Sequence, residues 1–225
     1  MPVIMEKIKL VKEFRLSSKD KGARDLAKKP TIFRDINNPE SFIVIPRTTS
    51  ENRKYIPMGF FDKNYIVSDT MQSIPNATLY HFGVLESEMH MTWVRHVCGR
   101  LKSDFRYSKD IVYNNFPWPE NPSEEKIKAV EKYAQEVLDV REKYMHCHPE
   151  LDSGSHEIPD QARNDKGASL ADLYDPLTMP ADLVKAHQNL DRAVDRAYGK
   201  QTFKSEAERM EFLFGEYKEY IKNNL

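Results

Sequence analysis

Gly99-Arg100-Leu101-Lys102-Ser103-Asp104-Phe105-Arg106-Tyr107-Ser108 lies between a helical apolar pattern and a proline-rich aromatic exit, and its reading decides how the chain divides. Lys102, Asp104 and Arg106 stand at every second position. In an extended segment successive side chains alternate faces, so these three would share one face. Neighbours in the row would be about 6–7 Å apart, twice the rise of a strand. A donor, an acceptor and a donor in line could read the edge of a base pair. The same spacing also describes an ordinary solvated strand face.

Upstream, Leu79, Phe82, Leu85, Met89, Trp93 and Val97 recur at spacings of three and four, which predicts one amphipathic helix from Thr78 to Cys98 ended by Gly99. His81, His90 and His96 lack the i,i+4 spacing of a helical metal pair and read as structural. Downstream, Ile111-Val112-Tyr113 reads as a strand. Asn114-Asn115-Phe116-Pro117-Trp118-Pro119 follows as a stiff exit, because proline fixes its own φ and restricts the residue before it.

The chain before this stretch reads as helix over 4–29, with Ser17-Ser18 as a possible second start. Arg15, Lys19, Lys21, Arg24, Lys28 and Lys29 make one side basic, either as a solvated face or as a phosphate-contacting one. Ser41 to Pro46, Tyr55 to Phe61 and Tyr65 to Ser68 are expected strands. Between the first two, Arg47, Thr48, Thr49, Ser50, Glu51, Asn52, Arg53 and Lys54 form a polar loop whose hydroxyls and cations suit phosphates and equally suit any exposed turn. The chain after Pro119 reads as three amphipathic helices, over 123–144, 181–198 and 205–223, closing into a small bundle. Leu170 to Met179 is a compact turn region. Residues 146–167 lose all periodicity and are expected to be a disordered loop, with His146-Cys147-His148 a coincidence rather than a metal fragment.

The fold class expected is therefore α+β: a small mixed α/β domain over 1–119, then a mainly α-helical domain over 120–225. Hydrophobic residues are 40% and charged residues 31% of the 225, as in a soluble globular chain. No apolar run approaches the roughly 20 residues of a membrane span, and the N-terminus lacks the uncharged core of a secretory signal, so a cytoplasmic location is expected. Cys98 and Cys147 show neither metal-type spacing nor a disulfide framework. The net charge of −1 hides an asymmetry: residues 1–119 carry 19 Lys and Arg against 13 Asp and Glu, leaving 15 against 22 for the remainder. A basic half before an acidic half suggests two modules, with the anion-binding one first.

No Gly-rich loop follows a strand, so no cradle for a dinucleotide, S-adenosylmethionine or nucleotide phosphate is present. No nucleophilic triad stands out, and no carboxylates form a nuclease-like Asp…Glu-x-Lys set. Asn114-Asn115-Phe116-Pro117 has a superficial likeness to the Asn-Pro-Pro-Tyr/Phe motif of adenine methyltransferases, but the residue order is wrong.

Longer motifs carry a family resemblance. They include Ile45-Pro46-Arg47, Ser50-Glu51-x-Arg53, Tyr55-Ile56-Pro57, Met89-His90-x-x-Trp93, Gly99-Arg100-Leu101-Lys102-Ser103-Asp104 and Val112-Tyr113-Asn114-Asn115-Phe116-Pro117-Trp118-Pro119, then Ala168 to Pro180 and His187 to Gly199. With these runs the chain resembles the C-terminal part of MmeI-like (type IIL/IIG) restriction–modification enzymes and related adenine-specific DNA methyltransferases. The resemblance implies a DNA target recognition domain followed by a C-terminal helical domain. The methyltransferase core and nuclease would lie upstream, outside these residues, and S-adenosylmethionine and Mg²⁺ would belong to them. The chain would then hold no cofactor and have no enzymatic activity of its own. Its partners would be double-stranded DNA and a methyltransferase core in cis or in trans, with no membrane.

The resemblance also assigns roles. Positions matching Lys102 and Asp104 are base-reading, and Arg106 lies beside them. Lysine donates to guanine O6 and N7, and aspartate accepts from cytosine N4, so the pair would select one G·C pair in one orientation. Arg47, Ser50, Arg53, Lys54 and Arg100 are expected phosphate contacts. Relatives lack the segment 147–165, which looks like the in-frame product of a repetitive DNA element and is expected to be dispensable. Two other readings remain: a scaffold whose acidic half docks on a methyltransferase core, and a stand-alone enzyme, for which no motif speaks.

Overall fold

A computed structural model describes residues 2–33, 39–68, 70–145, 168–200 and 202–224. It resolves into two compact units, Met1–Asn38 and Pro39–Leu225. The segment expected to be a disordered insertion lies outside the described residues.

The first unit is a helix pair, α1 (Pro2–Ser17) and α2 (Lys21–Leu26). The second start is set by Asp20, not by the serines before it: its carboxylate accepts the Ala23 amide at 2.6 Å, one of the donors a helix start leaves unpaired. Arg15 holds the end of α2 and the chain after it by donating to the carbonyls of Leu26 at 3.2 Å, Lys29 at 3.0 Å and Ile32 at 2.7 Å.

The second unit opens with β1 (Ser41–Pro46) and β2 (Thr48–Thr49), followed by β3 (Gly59–Asp62) and β4 (Met71–Pro75). β1 is the middle strand of an antiparallel sheet ordered β3-β1-β4, with Ile43 opposite both Phe60 and Ile74. The predicted strand over Tyr65–Ser68 is absent: Tyr65 and Ile66 are exposed, and the pairing belongs to Met71–Pro75. The cross-strand partner, not the local apolar pattern, decides that choice. Likewise only the end of Tyr55–Phe61 is strand. Tyr55, Ile56 and Met58 are buried in an irregular turn, where the Met58 amide donates to Ile56 at 2.7 Å.

The helix expected over Thr78–Cys98 is two helices, α3 (Leu79–Leu85) and α4 (Glu88–Val97). Thr78 and His81 form a capping box at the start of α3, which accounts for one of the three histidines. Ser87, extended at φ −98° and ψ 163°, interrupts the apolar stripe, and its hydroxyl donates to Val84. After α4 come β5 (Gly99–Leu101) and β6 (Asp104–Arg106), in a second sheet ordered β2-β6-β5. The strand predicted at Ile111–Tyr113 is instead part of a π-helical turn, Lys109–Tyr113. The Asn114 amide reaches back to Lys109 at 2.8 Å, while the Val112 carbonyl accepts the indole N–H of Trp93 at 3.1 Å. The β-branched pair suggested a strand, but its backbone groups are satisfied locally and by Trp93.

The remaining helices are α5 (Glu124–Met145), the single turn α6 (Leu170–Leu173), α7 (Ala181–Ala197) and α8 (Glu206–Asn224). Their positions agree with the periodicity, but their packing does not follow the expected three-helix bundle. α5 pairs with α7, and the third helix of that group is α3. A Cβ on Gly83 would stand 2.7 Å from Val130 Cγ1 and 3.1 Å from Ala134 Cβ, so the missing side chain lets α3 approach α5. α8 packs on α4, with Phe214 and Tyr217 against Trp93 at ring separations of 5.7 and 5.4 Å. The apolar core therefore runs without a break across residue 119, from Phe82 and Trp93 to Val130, Ala134 and Leu190. No helix among the described residues is long and apolar enough to cross a membrane.

Candidate nucleic-acid interface

β5 and β6 form a hairpin in which Leu101 pairs with Asp104, leaving Lys102-Ser103 as its two turn residues. Lys102 is therefore not on the strand, and the predicted row of three on one face is corrected. Period two holds within β6: Phe105 is buried, while Asp104 and Arg106 point the other way. Lys102 sits at the tip with φ +57°. The other described non-glycine residues at positive φ are Asn76 and Asn121, of the type that tolerates this region. Lysine does not, so the hairpin holds a long cation at a position where its backbone is strained.

The faces sort the candidates further. Thr48 pairs with Arg106, so Thr48, Asp104 and Arg106 share the outer face with the exposed Leu101. Lys102 and Arg106 are exposed, Asp104 is half-buried, and among the described residues none of these side chains has a bonding partner. Arg100 lies on the opposite face, its guanidinium 4.0 Å above the Phe105 ring, and it donates to Ser103 O at 2.8 Å and to Glu51 at 3.3 Å.

The loop after β2 is less uniform than its composition. Arg47 is exposed, with one weak bond from Nε to Met71 O at 3.5 Å. Ser50 is half-buried and accepts the Asn52 amide at 3.3 Å. Arg53 is a strut: it donates to Thr49 Oγ1 and to Ala171 O, both at 3.3 Å. Lys54 stands 3.7 Å from Glu88. Of the five expected phosphate contacts, Arg47 has the freest cation, whereas Arg53, Lys54 and Arg100 already have partners within the protein.

A buried support holds the hairpin base. The Tyr107 amide donates to Arg47 O at 2.9 Å, and Gln72 donates to Tyr107 O at 3.1 Å. The Tyr107 hydroxyl lies 3.0 Å from His90 Nε2, and His90 Nδ1 lies 2.8 Å from Leu85 O. A carbonyl only accepts, so Nδ1 carries the proton and Nε2 accepts from tyrosine. Burial pushes His90 down to about 3, which keeps it neutral.

Thr48, Leu101 and the partner role of Glu51 were not legible in the sequence. The signal for a two-residue turn is ordinarily Asn-Gly or Gly-X, and Lys-Ser gives none. Among the described residues no group of three or more His, Cys, Asp or Glu could hold a metal ion.

Two family models match the chain: the MmeI target recognition domain over residues 1–120 and the MmeI C-terminal domain over 150–225. DNA methyltransferase A of Bacillus subtilis (strain 168) is 41% identical over 219 residues, which is 97% of this chain and 22% of that protein. A solved structure of the type IIL restriction-modification enzyme MmeI in complex with DNA matches with a TM-score of 0.77 and 43% identity, over 99% of this chain and 27% of that one. The chain thus spans only a small part of each of these relatives.

Proposed function

Because the chain belongs to the MmeI target recognition domain family, we propose that it is the sequence-reading module of a restriction–modification or adenine-specific DNA methyltransferase enzyme. The observation that carries this reading is the β5–β6 hairpin, with Lys102 at its tip and Asp104 and Arg106 on its outer face, all without bonding partners among the described residues. A two-stranded ribbon fits the major groove, where each base pair presents its own pattern of donors and acceptors. Lys102 donates to guanine O6 and N7, Asp104 accepts from cytosine N4, and Arg106 stands beside them along the groove. Arg47, Ser50, Arg53 and Lys54 beside the hairpin, and Arg100 on the opposite face of β5, serve as phosphate contacts, with Arg47 the most available.

Catalysis is assigned to a methyltransferase core that acts with this module in cis or in trans. S-adenosylmethionine and Mg²⁺ belong to that core and its nuclease, and the chain alone transfers no methyl group. A cytoplasmic location suits such an enzyme.

The test is the double swap Lys102→Glu with Asp104→Arg in a full-length enzyme carrying this module. The preferred pair should reverse from G·C to C·G, each contact contributing about 1–3 kcal/mol of discrimination. An unchanged site after the swap would refute the base-reading assignment.

A further inference from the structure

Leu177 is the most exposed large apolar side chain among the described residues, at 93%, and it is held out on a rigid turn. The Asp175 carboxylate accepts the Leu177 amide at 2.9 Å, and the amides of Thr178 and Met179 donate to Asp175 O at 3.2 and 3.0 Å. Pro176 and Pro180 restrict the chain on either side. A fully hydrated leucine on a fixed tip gains nothing for folding, because its apolar surface is left in water.

The position of this turn gives it a use. Asp175, Pro176 and Leu177 form one wall of an open cleft of about 490 Å³, and Ser50, Asn52 and Arg53 form the other. Two contacts stitch the cleft to the reading hairpin. Arg53 donates to Ala171 O at 3.3 Å, and Glu51, on the same loop, accepts from Arg100 of β5 at 3.3 Å. One wall thus offers a hydroxyl, an amide and the N–H groups of the Arg53 guanidinium that Thr49 and Ala171 leave unused. The other offers the apolar tip. Asp175 has one carboxylate oxygen engaged with its own turn. Its charge repels a phosphate, less so at the far wall than at its own.

We propose that the Asp175–Met179 turn is a second DNA-contacting element, with Leu177 seated on the deoxyribose side of the backbone strand whose phosphate lies against Ser50, Asn52 and Arg53. The DNA surface is then composite, drawn from both the strand-bearing and the helical halves of the chain. Other duplex-binding proteins also combine apolar side chains with polar and cationic contacts, there as wedges between base steps. This inference rests on the DNA-reading function proposed above.

The experiment is a salt titration of duplex binding by fluorescence anisotropy, with the full chain and a labelled 30-base-pair DNA. Leu177→Ala should weaken binding about tenfold and Leu177→Asp more, while Leu177→Met stays near wild type. The salt slope of Leu177→Ala should match wild type, because an apolar contact releases no counterion, whereas Arg47→Ala should lower the slope by about one. Melting temperatures of the Leu177 variants should equal wild type, since the side chain is outside the core. If the wild-type chain binds no duplex at any salt, the DNA-reading function fails and this inference with it. If wild type binds with an Arg47-dependent slope and Leu177→Asp binds equally well, the Leu177 contact alone is overturned. Loss of self-association in Leu177→Asp with no change in DNA affinity would likewise overturn it.

Discussion

The guanidinium of Arg141, on α5, meets the carboxylate of Glu86, at the α3–α4 break, at 2.5 Å with both side chains out of water. Arg141 also donates to Met58 O at 2.7 Å and to the Tyr174 hydroxyl, which lies 2.6 Å from His187 on α7. Tyr55 stacks on His187 at 4.0 Å and donates to Asp191 at 2.7 Å. One buried polar network therefore joins the turn at Tyr55–Met58 to α5 and α7. Removing one partner of a buried pair strands the other charge. Arg141→Met is expected to cost about 3–5 kcal/mol of unfolding free energy, read by urea denaturation. Adding Glu86→Leu should recover part of that loss, and a single-variant cost below about 1 kcal/mol would show that the pair is not structural.

Lys102→Gly separates folding from reading. Glycine takes positive φ without steric cost, so the hairpin should gain about 1 kcal/mol, seen as a higher melting temperature. On the base-reading role proposed for Lys102, the same variant should lose discrimination at that base pair. Lys102→Asn should fall between in stability. A melting temperature that drops with glycine would show that the lysine side chain itself supports the turn.

Histidine titration gives a pH dependence with a definite sign. His90 is held at about 3 in the fold, below its ordinary value near 6.5, because burial disfavours the imidazolium. Its contribution is fully present above pH 6.5 and is lost as pH falls toward 3. Between pH 7 and 5 it should remove about 2 kcal/mol. His187 acts in the same direction, while Glu86 and Asp191, pushed up by burial to about 7 and about 6, act in the opposite one. The readout is therefore the difference between wild type and His90→Phe. The variant should be less stable at pH 7, having lost two hydrogen bonds, and should close that gap on acidification. A gap independent of pH would contradict a neutral buried imidazole.

Deleting residues 147–165 should leave the protein folded. The Ala168 amide donates to Tyr144 O at 3.2 Å, so the chain leaves α5 and returns at the same place. A short connection can span it, and a shorter loop costs less closure entropy by about 1 kcal/mol. Melting temperature and DNA affinity should be equal to or slightly above wild type. A lower melting temperature would show that the segment contributes contacts.

Much of this architecture was legible in the residues. Spacings of three and four located α5, α7 and α8, because a helix buries one face and its apolar positions must follow 3.6 residues per turn. Alternation put Asp104 and Arg106 on one face, for the corresponding reason in a strand, and they share the outer one. The long motifs supplied the family. What local pattern could not supply was every feature set by a distant partner. The break at Glu86-Ser87 coincides with the carboxylate that Arg141 engages, 55 residues away. The π-helical turn at Lys109–Tyr113 has its Val112 carbonyl taken by Trp93. The helix that packs on α5 beside α7 is α3, through a glycine whose importance appears only when Val130 stands beside it. The candidate site follows the same division. The sequence by itself determined which residues carry its charge, because donor and acceptor types are chemical identities. Only the tertiary structure decided that Lys102 caps a hairpin while Arg53, Lys54 and Arg100 have partners within the protein, because turn register and ion pairing depend on strands and loops that meet only in the folded chain.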